Sequence, residues 1–361
     1  MNLTAPCYEC GNKSEIDGLC AECYRKAHPL VEVRSPFRLL TCKRCGAVKV
    51  PGGWKTISEQ LSDPDELIER QIEILLQHEV KLNVAGVQLE YTEEKILDRV
   101  RNIMITATGT SDSSLAAYSE SYPVEVRFSY ATCDTCAMMS GGYHEAILQV
   151  RADERLITDE EEDGIVSVVT DLTVAEYGKD IKAFVTEIGR DKYGLDFKIG
   201  SEHLCKRIAD SLQQRYLAER KENYKLIGED KGGKKKYRIT ILIRLQKFTL
   251  GDFIRVGSKP CQVTAMGRGG LSCYDLKNGN RFTINPKSAK WRTIEFIAPE
   301  SDKRQFMVVS NLHNQPVQIM DSESFEMHEI DQKDMTISVS NGDTAFGLQL
   351  DNRVFLIPPN D

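Results

Sequence analysis

Apolar positions recur along this chain with two periods, and the places where the period changes divide it into segments. Over residues 63–79, Leu67, Ile68, Ile72, Leu75 and Leu76 form one stripe at helical spacing, with Asp63 as a cap and Pro64 in the first turn. That pattern predicts an amphipathic helix. Strand-like alternation follows in LNVAGVQLEY (82–91), RVRNIMITATGT (99–110) and SYPVEVRFSYATC (121–133), with Ser111 to Ser121 as a polar surface loop.

Further on the two periods alternate. The stretches YHEAILQVR, AFVTEIG, GLDFKIG, NYKLIG and KKYRITILIRL read as strands, and EEEDGIVSVVTDLTVAEYG and SEHLCKRIADSLQQRYLAER as helices. The second helix has Ser201 as its cap and Leu204, Ile208, Leu212 and Tyr216 on one face. This arrangement predicts an α+β sandwich, with helices covering one face of a mainly antiparallel sheet. From 249 to 298 five short strands with glycine turns predict a small β-barrel, LGDFIRVG, KPCQVTAMG, GLSCYDL, GNRFTINP and KWRTIEFI. About six more strands over 304–357 predict a second one.

The cysteines add chemistry to this outline. Eight of the 11 fall into four Cys-x-x-Cys pairs: Cys7/Cys10, Cys20/Cys23, Cys42/Cys45 and Cys133/Cys136. A pair at this spacing places two sulfurs on one tight turn, as tetrahedral zinc requires, and four pairs make two structural Zn2+ sites with no open position for water. The expected grouping is Cys7, Cys10, Cys20 and Cys23 for one ion, and Cys42, Cys45, Cys133 and Cys136 for the other. Other pairings of the same four knuckles stay open. The first group reads as a treble clef, because the run CAECYRKAH looks helical from Cys20. The second joins two distant hairpins, so its domain is expected to depend on metal. Uniform spacing without a signal peptide disfavours disulfides and implies a reducing, intracellular compartment. Cys205, Cys261 and Cys273 lie in apolar stripes and read as core.

The domains expected are therefore 1–140, a double-zinc module with a β-rich insert; 141–246, the α+β sandwich; and two small barrels at 247–299 and 300–361. No apolar run is long enough to span a bilayer.

Net charge is −7, which taken whole argues against a nucleic-acid partner, but it is sorted along the chain. Residues 1–60 carry +3, 61–180 carry −16, 181–300 carry +12 and 301–361 carry −6. Two basic blocks around an acidic one suit a protein that lays selected faces on a polyanion. In the first, Arg34, Arg38, Lys43, Arg44, Lys49 and Lys55 lie near Phe37 and Trp54, cations for phosphates beside rings for bases. In the second, Lys231, Lys234, Lys235, Lys236 and Arg238 crowd one hairpin, and Arg268 marks the tip of another. No catalytic residue is expected. The chain has no zinc-protease helix, nucleophile elbow, Walker motif or dinucleotide fingerprint.

On four stretches the chain resembles the nonsense-mediated decay protein three family, export adapters of the large (60S) ribosomal subunit, in their shorter archaeal form. They are CYEC…LCAEC…CKRC…W, CDTCAMMSGGYHEAILQVR, YGLDFKIGSEHLCKRIADSLQQRY and KYRITILIRLQKFTLGDFI. The resemblance implies a monomeric, cytoplasmic, non-catalytic factor in ribosome biogenesis. It would bind rRNA and ribosomal proteins at the joining face of the large subunit, near the tRNA sites, the L1 stalk and the anti-association factor. It also implies a zinc ribbon around the second metal site. GDFIRVGSKPCQVTAM is similar to the SH3-like first barrel of five-A-type translation factors, leaving an OB-like barrel to follow. No membrane and no small-molecule substrate are implied. Two departures stand out: Ala137-Met138-Met139 replaces a basic contact after the fourth knuckle, and the eukaryotic C-terminal extension with its transport signals is missing. The rival expectation from the residues is a zinc-stabilised protein–protein scaffold acting through the acidic 61–180 surface without RNA.

Overall fold

The computed structural model describes residues 5–57, 61, 63–97, 99–229 and 232–359. The chain divides into two compact units, Met1–Gly141 with Tyr177–Ile181, and Gly142–Glu176 with Lys182–Asp361. Both are rich in β-sheet.

In the first unit the elements run α1 (Ala21–Ala27), β1 (Val31–Glu32), β2 (Phe37–Cys42), β3 (Val48–Val50), β4 (Gly53–Lys55), α2 (Pro64–Glu79), β5 (Lys81–Leu82), β6 (Gln88–Leu97), β7 (Val100–Gly109), β8 (Tyr118–Ala131) and α3 (Asp134–Ser140). Helix α2 begins where its sequence signals place it. The Asp63 carboxylate accepts the Asp65 N–H at 2.9 Å, and Ile72, Leu75 and Leu76 are buried. These residues and Phe37, Leu39, Ile105 and Val126 from the sheet share one core. Six strands form that sheet in the order β4-β3-β2-β8-β7-β6, where β2 and β8 run parallel. The strand expected over 82–91 is broken: β5 pairs with β1, Gly86 turns at φ +78°, and β6 starts at Gln88.

The second unit contains β9 (Ala146–Ala152), α4 (Asp159–Glu176), β10 (Val185–Asp191), β11 (Gly194–Ile199), α5 (Glu202–Tyr216), β12 (Glu219–Glu229) and β13 (Lys235–Leu245). Their sheet, ordered β10-β11-β9-β13-β12, is antiparallel except between β9 and β13. Thr158 and Glu161 open α4 with a reciprocal capping box at 3.1 and 3.2 Å. Gly164 inside α4 has a packing reason, since a Cβ there would lie 2.4 Å from the Tyr216 hydroxyl. Ile165, Val169, Leu204, Ile208 and Leu212 meet the apolar face of the sheet in one core. Helix α5 stops at Tyr216 instead of continuing to Arg220. Leu217 turns left-handed at φ +50° and packs with Phe248 and Ile254, and β12 begins two residues later.

Two five-stranded antiparallel sheets complete the unit. The first is ordered β17-β16-β15-β14-β18, from β14 (Phe253–Val256), β15 (Lys259–Gly267), β16 (Gly270–Asp275), β17 (Arg281–Ile284) and β18 (Ile294–Ala298). The second is ordered β21-β20-β19-β22-β23, from β19 (Arg304–Ser310), β20 (Val317–Asp321), β21 (Met327–Ile330), β22 (Thr344–Leu350) and β23 (Arg353–Ile357). Among the described residues this is five strands where about six were expected. The alternating residues Met335, Ile337 and Val339 cover the second core without joining its ladder. Cys205, Cys261 and Cys273 are fully buried, and burial pushes each thiol up to about 12, so they pack as neutral core groups.

Candidate metal centres and basic surface

Both four-cysteine clusters lie in the first unit and share a local design. In each, the upstream pair sits in a knuckle closed by two backbone hydrogen bonds. Cys7 donates to Asn12 O at 2.6 Å and Gly11 to Cys7 O at 2.8 Å; Cys42 donates to Ala47 O at 2.8 Å and Gly46 to Cys42 O at 3.0 Å. Gly11 and Gly46 hold φ of +80° and +72°, which a side chain would oppose. The downstream pair opens a helix, Cys20 capping α1 and Cys133 capping α3. The second cluster therefore joins a knuckle to a helix start, where two hairpins were expected.

Tertiary structure decides which pairs meet. Strands β2 and β8 are in parallel register from Phe37 opposite Val126 to Cys42 opposite Ala131. Their ends coincide, so the turns that follow emerge side by side, and Cys133 N–H reaches Cys42 Sγ at 3.4 Å.

The donor sets fit a tetrahedral ion. In each cluster the four sulfurs lie within 4.8 Å of one another. Cys10 and Cys20 Sγ are 3.5 Å apart, and Cys45 and Cys133 Sγ 3.6 Å. Sulfurs around zinc at about 2.3 Å sit roughly 3.8 Å apart, whereas a disulfide holds them at about 2 Å. All 11 cysteines are free. Ionisation is shared unevenly. Burial opposes charge on Cys7 and Cys42, but backbone N–H groups outweigh it and bring each thiol down to about 6. Cys23 is driven up by sharing hydrogen bonds with Cys10 and Cys20, and Cys136 by burial and by Cys133. Four thiolates so close repel one another, and a dication removes that conflict.

Surroundings differ between the clusters. The first packs against Leu19, Tyr24 and Leu115, the last buried within a loop expected to be polar surface. Around the second, Trp54 packs on Ala47 and the cysteines, Lys49 Nζ lies 5.5 Å from its ring centroid, and Gln71 donates to Gly46 O at 2.9 Å. Tyr177 also comes near this cluster, lining a cavity with Trp54 and Cys133. Burial, then the negative sulfurs, push that phenol up to about 12, so it stays protonated. The sequence carries no signal for this contact, because Tyr177 reads as the last turn of α4.

The expected cationic residues separate into groups. Arg34, Arg38 and Lys43 are exposed. Arg44 hydrogen-bonds Ser140, and Lys55 reaches Gln77 at 3.4 Å. Phe37 is buried in the core, so it is not available to bases; Trp54 is half-buried against the second cluster. Arg268 is exposed and its Nε donates to Gln214 at 3.0 Å.

Lys231 lies outside the described residues, between the ends of β12 and β13. Strand β13 pairs with β9 only from Ile239 to Leu245, whereas its pairing with β12 continues to Lys235 opposite Glu229. The ribbon thus overhangs the sheet. Residues opposite each other in such a ladder share a face. Tyr224 lies opposite core-facing Ile239, so Leu226 and Tyr237, paired two positions on, present an apolar face; Lys225 and Arg238 take the other. Tyr224, Leu226 and Tyr237 are 48–49% exposed, and Lys234, Lys235 and Lys236 are exposed near the tip. The exposed apolar face was not expected from the sequence, where alternation in NYKLIG reads as an ordinary strand.

Among the described residues no helix is long and apolar enough to cross a membrane. The family model described as NMD3, N-terminal domain, matches residues 7–141, and that described as NMD3, second domain, matches residues 143–245. No curated protein matches the chain. Among solved structures, the chain is similar to eukaryotic translation initiation factor 5A from Methanococcus jannaschii, at 16% identity, with 30% of this chain and 88% of that one covered and a TM-score of 0.19. At that TM-score the likeness carries no argument.

Proposed function

Since two domain models match it across residues 7–245, the chain belongs to the NMD3 family, and from that premise we propose that it is a non-catalytic factor binding rRNA on the large ribosomal subunit. The family is one of ribosome-associated factors. The observation that carries the RNA part is the β12–β13 ribbon, which lifts Lys225, Lys235 and Lys236 clear of the sheet, with half-buried Arg238 at its base, in the chain segment of highest positive charge. Cations on a projecting two-stranded ribbon meet phosphates without drawing the acidic remainder of the chain toward the polyanion. Arg34, Arg38 and Lys43 supply a second set of contacts on the metal-bearing unit. Partner ribosomal proteins at the joining face and a role in late assembly or quality control belong to the same proposal, as do an SH3-like and an OB-like barrel for the last two sheets.

In this proposal Cys7, Cys10, Cys20 and Cys23 hold one zinc ion, and Cys42, Cys45, Cys133 and Cys136 the other. Zinc at these positions supplies a fixed tetrahedral cross-link and charge compensation. The protein's own part is to present the sulfurs at the right separation and to direct backbone N–H groups at them.

Co-sedimentation with purified large subunits tests the proposal. Binding is expected at low salt and should fall steeply as salt rises. Replacing Lys225, Lys236 and Arg238 by glutamine should weaken it and reduce the salt slope by about one per lost phosphate contact. Full association at high salt contradicts phosphate contact, and no association at low salt rejects subunit binding. Cross-links to protein alone would favour a scaffold acting through the acidic 61–180 stretch.

A further inference from the structure

Ile239, Ile241 and Ile243 of β13 turn into the core that α5 shares, and the same face of the ribbon continues past Ile239 toward the hairpin end as Tyr224, Leu226 and Tyr237. All three are about half exposed, and Ile227, the extra residue where the register shifts between Leu226 and Gly228, is 47% exposed. Single exposed apolar side chains are ordinary on a protein surface, but several contiguous ones on a projecting face mark a binding site. Two of these are flat rings. Tyr224 lies opposite Ile239 and Tyr237 opposite Leu226, so the tyrosines are diagonal neighbours across the two strands, about 7–8 Å apart in such a ladder. The Tyr224 ring is held in place: its hydroxyl donates to the Glu222 carboxylate at 3.0 Å, and Lys206 Nζ stands 5.8 Å from the ring centroid. Strand β13 alternates without interruption, so Lys235, opposite Glu229, follows Tyr237 onto this face, while Lys225 and Lys236 lie on the reverse.

We propose that this face is a stacking platform for unpaired nucleobases, with bases on Tyr224 and Tyr237 and phosphates on the lysines around them. The inference rests on the reading that the chain binds RNA, and adds which RNA the ribbon selects and by what contact. Lysine is depleted where one protein packs on another, whereas faces that take single strands combine rings with cations. Here Lys206 borders the rings on one side and Lys235 on the other. Bases within a duplex are stacked on one another and cannot lie on a tyrosine, so the platform favours loops, bulges and ends.

The test measures fluorescence anisotropy of the full chain with two probes, a short labelled oligoadenylate and a labelled RNA duplex of the same length. Tyr224→Leu and Tyr237→Leu keep apolar bulk on the ribbon and remove the ring. Each should weaken oligoadenylate binding about tenfold, the scale of one lost base stack, and leave duplex binding and the salt slope unchanged. Tyr237→Phe, which keeps the ring, should bind as the unaltered chain does. Lys225→Gln with Lys236→Gln should instead weaken both probes and flatten the salt slope. Unchanged oligoadenylate binding in both leucine variants, or equal weakening toward both probes, overturns the inference and leaves the RNA reading standing. Weaker binding of the leucine variants to large subunits without any change toward oligoadenylate assigns the face to a ribosomal protein and also overturns it. If the unaltered chain binds neither probe at low salt, the RNA reading beneath falls together with the platform.

Discussion

The first cysteine cluster gathers its sulfurs from the 17 residues between Cys7 and Cys23, whereas the second reaches from Cys42 to Cys136. Their knuckles are closed by the same pair of backbone hydrogen bonds, and both downstream pairs open a helix. The difference lies in what brings the halves together. In the first, a short turn through Asp17 and Gly18 suffices. In the second, the β2–β8 pairing does it, and metal there would fasten together strands that carry the whole six-stranded sheet. One chemical design thus serves as a local staple in one place and as a long-range tie in the other.

The largest expected effect separates those two roles. The sulfur pair Cys45/Cys133 is 88 positions apart and Cys10/Cys20 only 10, close to three doublings of loop length. At about 0.6 kcal/mol per doubling, the long tie removes about 2 kcal/mol more chain entropy from the unfolded state. Cys133→Ser should therefore lower the thermal stability of the first unit by that much more than Cys20→Ser, measured by calorimetry on metal-loaded protein. Equal losses would show that the sheet holds without its tie.

A smaller contrast concerns the knuckle glycines. Gly11→Ala meets nothing within 4 Å and should cost only the left-handed strain, about 1 kcal/mol. Gly46→Ala places its Cβ 3.0 Å from Leu67 Cδ1 and threatens the Gln71 hydrogen bond, so a loss nearer 2 kcal/mol is expected in chemical denaturation. A greater loss at Gly11 would mean that the local staple is the more constrained of the two. Smallest is Lys49→Ala, which removes the cation over the Trp54 ring and should cost about 0.5 kcal/mol by the same measurement. A loss of several kcal/mol would mean that this cation offsets the charge of the second cluster.

Much of this was legible before the fold. The Asp63 and Ser201 caps, the stripes of α2 and α5 and the buried Cys205 follow from residues close in sequence. Phe37 shows the limit of that reading. Its neighbours in the chain are basic, yet alternation along β2 turns its ring into the core while Arg38 faces outward. Likewise, the pattern in 335–340 looks like a strand, but its residues cover a core that already has its ladder.

The sequence by itself determined which residue types could hold metal, where helices begin, and which chain segments are basic, because hydrogen bonds and periodicities within a few residues encode these features. Only the tertiary structure decided that β2 and β8 align their ends, that Tyr177–Ile181 returns to the first unit, and that the β12–β13 ribbon outruns its sheet. Each of those depends on the register between segments far apart in the chain. Such register is fixed by the fit of whole buried faces, and no short stretch of residues carries it.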